Sequence, residues 1–291
     1  MVETFLKYLS FEKRYSVHTV EAYKKDLSQF TQYLKSDFEL DDLAEAKHTH
    51  LRGWIVSLME TDLSPKSVNR KIATLKSLYK FLLAREYVEV NPASKLKPLK
   101  TAKNLPTFVK EEEISSLLDR VEFADDFEGK RDKLLLELFY ATGIRLSELT
   151  GLKDSDVSVH NSTLKVLGKR NKERIIPIPE TLVLLTEEYK EKKKEVGMFS
   201  EFLILTDAGK QAYPMFIQRK VKTYLQAVTT LSKKSPHVLR HSFATHLLNK
   251  GADLNAVKDL LGHTSLAATQ VYTHNSIEKL KSAFDQAHPK A

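Results

Sequence analysis

The chain of 291 residues contains no cysteine. That absence removes disulfides, thiolate nucleophiles and cysteine-ligated metal sites together, so any nucleophile must be an oxygen or a nitrogen. No apolar run reaches membrane-spanning length, and charged residues interrupt the apolar ones at the N-terminus, where a signal peptide needs a continuous stretch. The expected protein is soluble and cytoplasmic, with no membrane partner. His237 and His241 stand four apart, but no HExxH pattern occurs and no carboxylate completes a zinc set. A glycine-rich nucleotide loop is also missing. The expectation is therefore no metal and no cofactor.

What is present is a modest excess of positive charge: 46 Lys+Arg against 38 Asp+Glu, a net +8. The first hundred residues carry 17 Lys+Arg against 13 Asp+Glu and the remainder 29 against 25, so the excess is spread and no basic tail exists. Such a balance suits a polyanionic partner that touches both halves of the chain. The length argues for two domains, and 42% hydrophobic with 29% charged residues for globular ones.

The first hundred residues read as helices. Val20, Tyr23, Leu27, Phe30 and Tyr33 recur at helical spacing, as do Leu51, Trp54, Ile55 and Leu58. Ser64-Pro65 opens a further helix with an apolar stripe of Val68, Ile72, Leu75, Leu78, Tyr79 and Leu82. Its outer side carries Lys66 with Arg70 and Lys76 with Lys80, which read either as a solvated face or as a phosphate-tracking one. The run VNPASKLKPLKTAKNLPTFVK, from Val90 to Lys110, holds three prolines, five lysines and no acid, and reads as a basic linker. These readings give a helical domain over 1–90, a linker over 91–110 and a second domain over 111–291.

In the second domain, Glu111 to Leu118 and Arg131 to Leu152 look helical. The stretch DVSVHNSTLKVLGKRNKERIIPIPE then alternates and breaks twice, giving three short antiparallel strands. Helical periodicity resumes at Thr181 and runs on, apart from a possible short strand at Phe202 to Leu205. The expected fold is mainly α, with a small three-stranded antiparallel sheet in the second domain.

Chemistry concentrates in five places. SPHVLRHSFATH places Ser235 as a cap, Pro236 in the first turn, and His237 with Arg240 on one helical face, where an imidazole and a guanidinium fork suit a phosphate. ATGIRLSEL sets Arg145 near a helix start, with Glu148 one turn later. LGKRNKERIIPIP puts Lys169 in a tight turn between strands, LLGHTS puts His263 just beyond a helix-ending glycine, and ATQVYTH presents Tyr272. Taken singly, each has an ordinary structural reading: a surface ion pair, a hairpin lysine, a capping histidine, a half-buried tyrosine. His241 and His246 read as packing residues.

The ordered set is far more specific. Arg145, Lys169, HxxR at 237–240, His263 and Tyr272, in this order and spacing, resemble the tyrosine recombinases. FEKRYSVHTVEAYKKDL and SVNRKIATLKSLYKFLLAREYVEVNPA look like the N-terminal DNA-clamping (SAM-like) domain of the Xer-type members, and the closing AHPKA like their C-terminus. The resemblance implies a site-specific DNA recombinase acting through a 3′-phosphotyrosine, with chromosome-dimer resolution as its role. Tyr272 would be the nucleophile, Arg145 and Arg240 the phosphate clamp, His237 and His263 hydrogen-bond donors, Lys169 the acid at the leaving oxygen and Glu148 an accessory carboxylate. It further implies a double-stranded DNA site as partner, a homo-oligomer or paralogue heterotetramer on that DNA, and a septal DNA translocase as activator. The rival readings are a mobile-element integrase or transposase of the same chemistry, a type IB topoisomerase, and a non-catalytic DNA-binding protein. The family turn usually reads GKGNKER, whereas Arg170 stands here at the second glycine, so Lys169, Arg170 and Lys172 are all candidates to reach the leaving group, with Lys169 chosen by position and Arg170 and Lys172 as further DNA-binding candidates.

Overall fold

The computed structural model describes residues 1–101, 107–168 and 172–262. The chain divides into two compact units, Met1–Asn104 and Leu105–Ala291.

In the first unit, α1 (Val2–Lys7) runs through a π-turn at Tyr8–Glu12 toward α2 (Val17–Phe38), followed by α3 (His48–Met59) and α4 (Pro65–Ala84). Ser16 and Ser64 cap α2 and α4, each accepting a hydrogen bond from the backbone N–H three residues on, and Pro65 occupies the first position of α4. The α4 stripe foreseen in the sequence is buried in full, and Leu27, Phe30 and Leu34 of α2 with Leu51, Trp54 and Ile55 of α3 complete the core.

Within that apolar packing sits a polar knot. Asp26 of α2 is buried and accepts from Lys71 Nζ (2.9 Å), from Thr74 Oγ1 (2.9 Å) and from Arg70. Cations and a hydroxyl thus replace the water that this carboxylate has lost.

The basic stretch after α4 is not free along its first part. Ala93 and Leu96 are buried, and His48 Nδ1 lies 2.9 Å from the Pro92 carbonyl oxygen. The Asn69 amide clamps Leu99, its Nδ2 donating to the carbonyl (2.9 Å) while its Oδ1 accepts from the N–H (2.7 Å). The helix α4 has already ended at Ala84, before the first proline of the stretch, and scattered apolar residues and one asparagine fasten the chain that comes after it onto the helices.

The second unit is built around α6 (Phe127–Thr142). From Leu134 to Thr142 every residue of that helix is buried, as suits a helix enclosed on all sides. Before it come α5 (Glu111–Ser115) and a π-turn at Ser116–Arg120. The helical stretch from Arg131 to Leu152 comes in two pieces, with the expected helix start at Arg145. Gly143, at φ +58°, ends α6 in the left-handed conformation, and α7 (Leu146–Thr150) starts anew behind Arg145.

The sheet takes the expected form, β1 (Val157–Ser158), β2 (Thr163–Leu167) and β3 (Glu173–Pro177), antiparallel in the order β1-β2-β3. Pairing runs from Thr163↔Pro177 to Leu167↔Glu173. Leu164, Val166, Arg174 and Ile176 face the core. The possible strand at Phe202 to Leu205 is present only as isolated bridges, Lys153↔Phe202 and Leu205↔Gln211, because each residue there pairs with a different neighbour. Among the described residues, four further helices complete the unit: α8 (Glu180–Glu195), α9 (Pro214–Val228), α10 (Pro236–Asn249) and α11 (Leu254–Leu261). Ser235 and Pro236 open α10 as foreseen, although the serine side chain makes no cap bond. Among the described residues no helix is long and apolar enough to cross a membrane.

Candidate active site

The left-handed turn at Gly143 lets the chain reverse between α6 and α7, and Arg145 stands at the N-cap of α7. Its backbone N–H donates to Glu148 Oε2 (2.7 Å) and its Nη1 to Glu148 Oε1 (2.8 Å). The sequence alone allowed a surface ion pair, but the Glu148 side chain is only 3% exposed, against 36% for Arg145. The carboxylate is thus a buried anchor, and the arginine is the partner that reaches out.

A residue overlooked in the sequence completes this anchor. Arg174 of β3 is buried and places its fork on the same carboxylate, Nη1 to Oε1 at 2.9 Å and Nη2 to Oε2 at 2.8 Å. The available signal was a charged residue in the inward phase of an alternating strand, a position that otherwise holds Ile176.

Arg240, one turn inside α10, is also buried, and its Nη1 donates to the carbonyl of Gly143. Its Nη2 donates to the carbonyl of Leu261 at 2.8 Å. The end of α11 gathers all three arginines. Successive carbonyls of Leu260, Leu261 and Gly262 accept from Arg174 Nε (2.9 Å), Arg240 Nη2 (2.8 Å) and Arg145 Nη2 (3.2 Å). The last carbonyls of a helix lack intrahelical partners, and the helix dipole makes that end partly negative, so guanidinium groups are drawn to it.

The electrostatics reflect this crowding. Burial pushes the Glu148 carboxyl up, but the hydrogen bonds and charge of Arg174, then the bonds from Arg145, outweigh it and hold the group at about 2. Burial first, and then the Arg145 guanidinium, bring Arg240 down to about 10, with Arg174 adding to and Glu148 opposing that shift. Arg240 therefore remains charged at neutral pH, beside a carboxylate that does not protonate there. Such a cluster is suited to hold an oxyanion.

His237 lies in the first turn of α10, exposed, three residues before Arg240. Burial, and then the nearby His237, hold the His241 imidazole below its usual range. His246 is buried, with Nδ1 3.0 Å from the Tyr140 hydroxyl, in keeping with a packing role. Lys172 is exposed immediately before β3, while Lys169, Arg170, His263 and Tyr272 lie outside the described residues. In the first unit, Lys66 and Lys80 of α4 are exposed and Lys76 is half-buried; Arg70 is tied to Asp26, with its side chain 44% exposed.

Comparison with known proteins supplies the lineage. Residues 107–279 match the phage integrase family, and residues 2–86 its N-terminal SAM-like domain. Tyrosine recombinase XerC of Chlorobaculum parvum is 38% identical over 317 residues, covering 100% of this chain and 94% of its own length. XerC of Oceanobacillus iheyensis is 38% identical over 295 residues, covering 100% and 96%. The chain belongs to the Xer-type tyrosine recombinases.

Solved structures agree on the fold. The XerH site-specific recombinase bound to its difH substrate, in a pre-cleavage complex, aligns with a TM-score of 0.71 at 23% identity, covering 97% of this chain and 84% of its own. The Tn1549 transposon integrase in complex with circular intermediate DNA aligns at 0.70 with 19% identity, covering 95% and 97%. This recombinase is accordingly a site-specific enzyme that breaks and rejoins DNA strands.

Proposed function

We propose that the arginine cluster at the end of α11 holds one phosphodiester of double-stranded DNA while Tyr272 attacks it. The observation that carries this reading is the convergence of Arg145 and Arg240, from separate elements, on the carbonyls of Gly262 and Leu261 beside a buried, ionised Glu148. Fixed in this way, the two guanidinium groups meet the non-bridging oxygens, where negative charge grows in the transition state. A bond forms between the Tyr272 phenol oxygen and phosphorus while the bond to the 5′-oxygen breaks. The phenol proton passes to His237, and Lys169 protonates the departing 5′-oxygen. His263 donates a further hydrogen bond to the phosphate. The phosphotyrosine conserves the energy of the broken ester, so the 5′-hydroxyl of a second strand reseals it without ATP or metal.

The exposed lysines of α4, Lys66 and Lys80, with Lys76, Arg70, Arg170 and Lys172, are assigned to the DNA backbone. The recombinase acts as a homo-oligomer or as a paralogue heterotetramer on its DNA site, in the cytoplasm, with chromosome-dimer resolution as its role and a septal DNA translocase as activator. The curated relatives named XerC support the chromosomal role.

A nicked suicide duplex, from which the cleaved end diffuses away, tests the chemistry. The expected result is a covalent protein–DNA adduct that disappears in Tyr272→Phe while DNA binding persists. Binding without any adduct in the unaltered protein would leave only an architectural DNA binder.

A further inference from the structure

We propose that Arg174 is a positioning residue of the strand-cleavage reaction, setting the directions of Arg145 and Arg240 through the Glu148 carboxylate and the carbonyl end of α11. The inference rests on the assignment of Arg145 and Arg240 to the phosphate.

The bonds of Arg174 all point inward. Nη1 and Nη2 hold the two oxygens of Glu148, and Nε holds the Leu260 carbonyl, in a side chain that is 5% exposed. The carboxylate it grips is the one that orients Arg145, which bonds Oε1 through Nη1 and Oε2 through its backbone N–H. The carbonyl it grips lies one residue before the acceptor of Arg240 and two before the acceptor of Arg145. Arg174 therefore controls both ends of the frame that the clamp arginines share: the carboxylate plane on one side, the helix terminus on the other.

The fit is close. A Cβ built on Gly262 falls 3.2 Å from Arg174 Nη1 and 3.3 Å from its Cδ, so the guanidinium rests against bare backbone there. A lysine supplies a charge in this place but not a planar fork with a third donor at Nε, so it cannot hold carboxylate and carbonyl in one fixed geometry. The charged groups facing Glu148 are Arg145 at the start of α7, Arg174 on β3 and Arg240 on α10. Removing Arg174 leaves the carboxylate with fewer cations and lets it take up a proton at higher pH.

The test is single-turnover cleavage of the suicide duplex by the full chain, at saturating protein and across the pH range in which the protein stays folded. A Tyr272-dependent adduct in the unaltered enzyme comes first; its absence counts against the functional reading, whereas the behaviour of the Arg174 variants bears on positioning alone. In Arg174→Gln the maximal rate is expected to fall about 100-fold, the scale of a small displacement of reacting groups, while the protein concentration that half-saturates the DNA is unchanged. The acid side of its rate profile should also move to higher pH. Arg174→Lys should return the acid side toward its original place and remain slow. A maximal rate equal to that of the unaltered enzyme, or a loss uniform in pH and equal to the unfolded fraction, would overturn the proposal. Where Arg174→Gln does not fold, Arg174→Lys decides: slow cleavage with an unchanged melting temperature supports positioning, and full-rate cleavage refutes it.

Discussion

Gly143→Ala perturbs the turn on which the site depends, and its effect can be worked from the structure. The residue has φ +58°, ends α6, and gives its carbonyl to Arg240. An alanine there adopts the left-handed conformation at a cost of about 1–2 kcal/mol. Its Cβ would lie 2.4 Å from Phe243 Cδ1 and 2.9 Å from Leu261 Cδ2, whereas carbon atoms in contact prefer about 3.5–4.0 Å. Overpacking of that kind costs about 1–3 kcal/mol more. The sum, about 2–5 kcal/mol, is a large share of the roughly 5–15 kcal/mol by which proteins ordinarily stay folded. Gly197→Ala is the natural control, since Gly197 has φ +71° and nothing within 4 Å of its virtual Cβ. It should show the backbone contribution alone.

Urea denaturation of the two variants, with midpoints compared at a common slope, isolates the packing contribution as their difference. Cleavage of the suicide duplex at saturating protein then reports the second consequence. The clash pushes on Phe243, three residues after Arg240 in α10, and on Leu261, whose carbonyl Arg240 uses. Gly143→Ala should therefore cleave slowly even where it is fully folded, and Gly197→Ala should not. Equal stability losses in the two variants, or a normal cleavage rate in Gly143→Ala, would refute the account of this turn.

Arg145→Ala and Arg240→Ala should each slow cleavage by about 100-fold to 1,000-fold while weakening DNA binding far less, because many other contacts supply affinity; complete recovery of cleavage at saturating protein would remove the clamp assignment. Glu148 is held at about 2 against an ordinary 4.5, so its ionised form stabilises the folded state, fully above pH 4.5 and progressively less as pH falls toward 2. That contribution is about 3 kcal/mol, and the acid slope of unfolding free energy between those limits should flatten in Glu148→Gln. In the first unit, Asp26→Asn leaves the buried Lys71 ammonium without its anion and should destabilise by about 3–5 kcal/mol. The single tryptophan, Trp54, lies in that core, with Lys71 Nζ 5.6 Å from its ring centroid, so its fluorescence tracks this loss directly. An unchanged midpoint would mean that the ammonium finds other partners.

Where apolar spacing alone decides structure, the sequence was a sufficient guide. The α4 stripe from Val68 to Leu82 and the alternation through Leu164, Val166 and Ile176 emerged as read, since burial of apolar surface determines both. The histidine–arginine pair of α10 was legible because helix geometry sets its spacing locally. What escaped was polar chemistry in core positions. Asp26, Lys71 and Arg174 all occupy inward phases, and each is tolerated through a partner far away in sequence, which periodicity cannot reveal. The helix start at Arg145 was legible behind Gly143, whereas the left-handed end of α6 inside the helical-looking stretch from Arg131 to Leu152 was not. Similarly, the tether of Leu99 to Asn69 depends on a single asparagine thirty residues earlier.

Three arginines hang from three consecutive peptide oxygens at one short helix's end, and this has a consequence for genetics as well as chemistry. Displacing any one of them tilts the support of the other two. Single-residue losses at positions 145, 174 and 240 should then overlap heavily in double variants, so that the second change at this junction does little further harm.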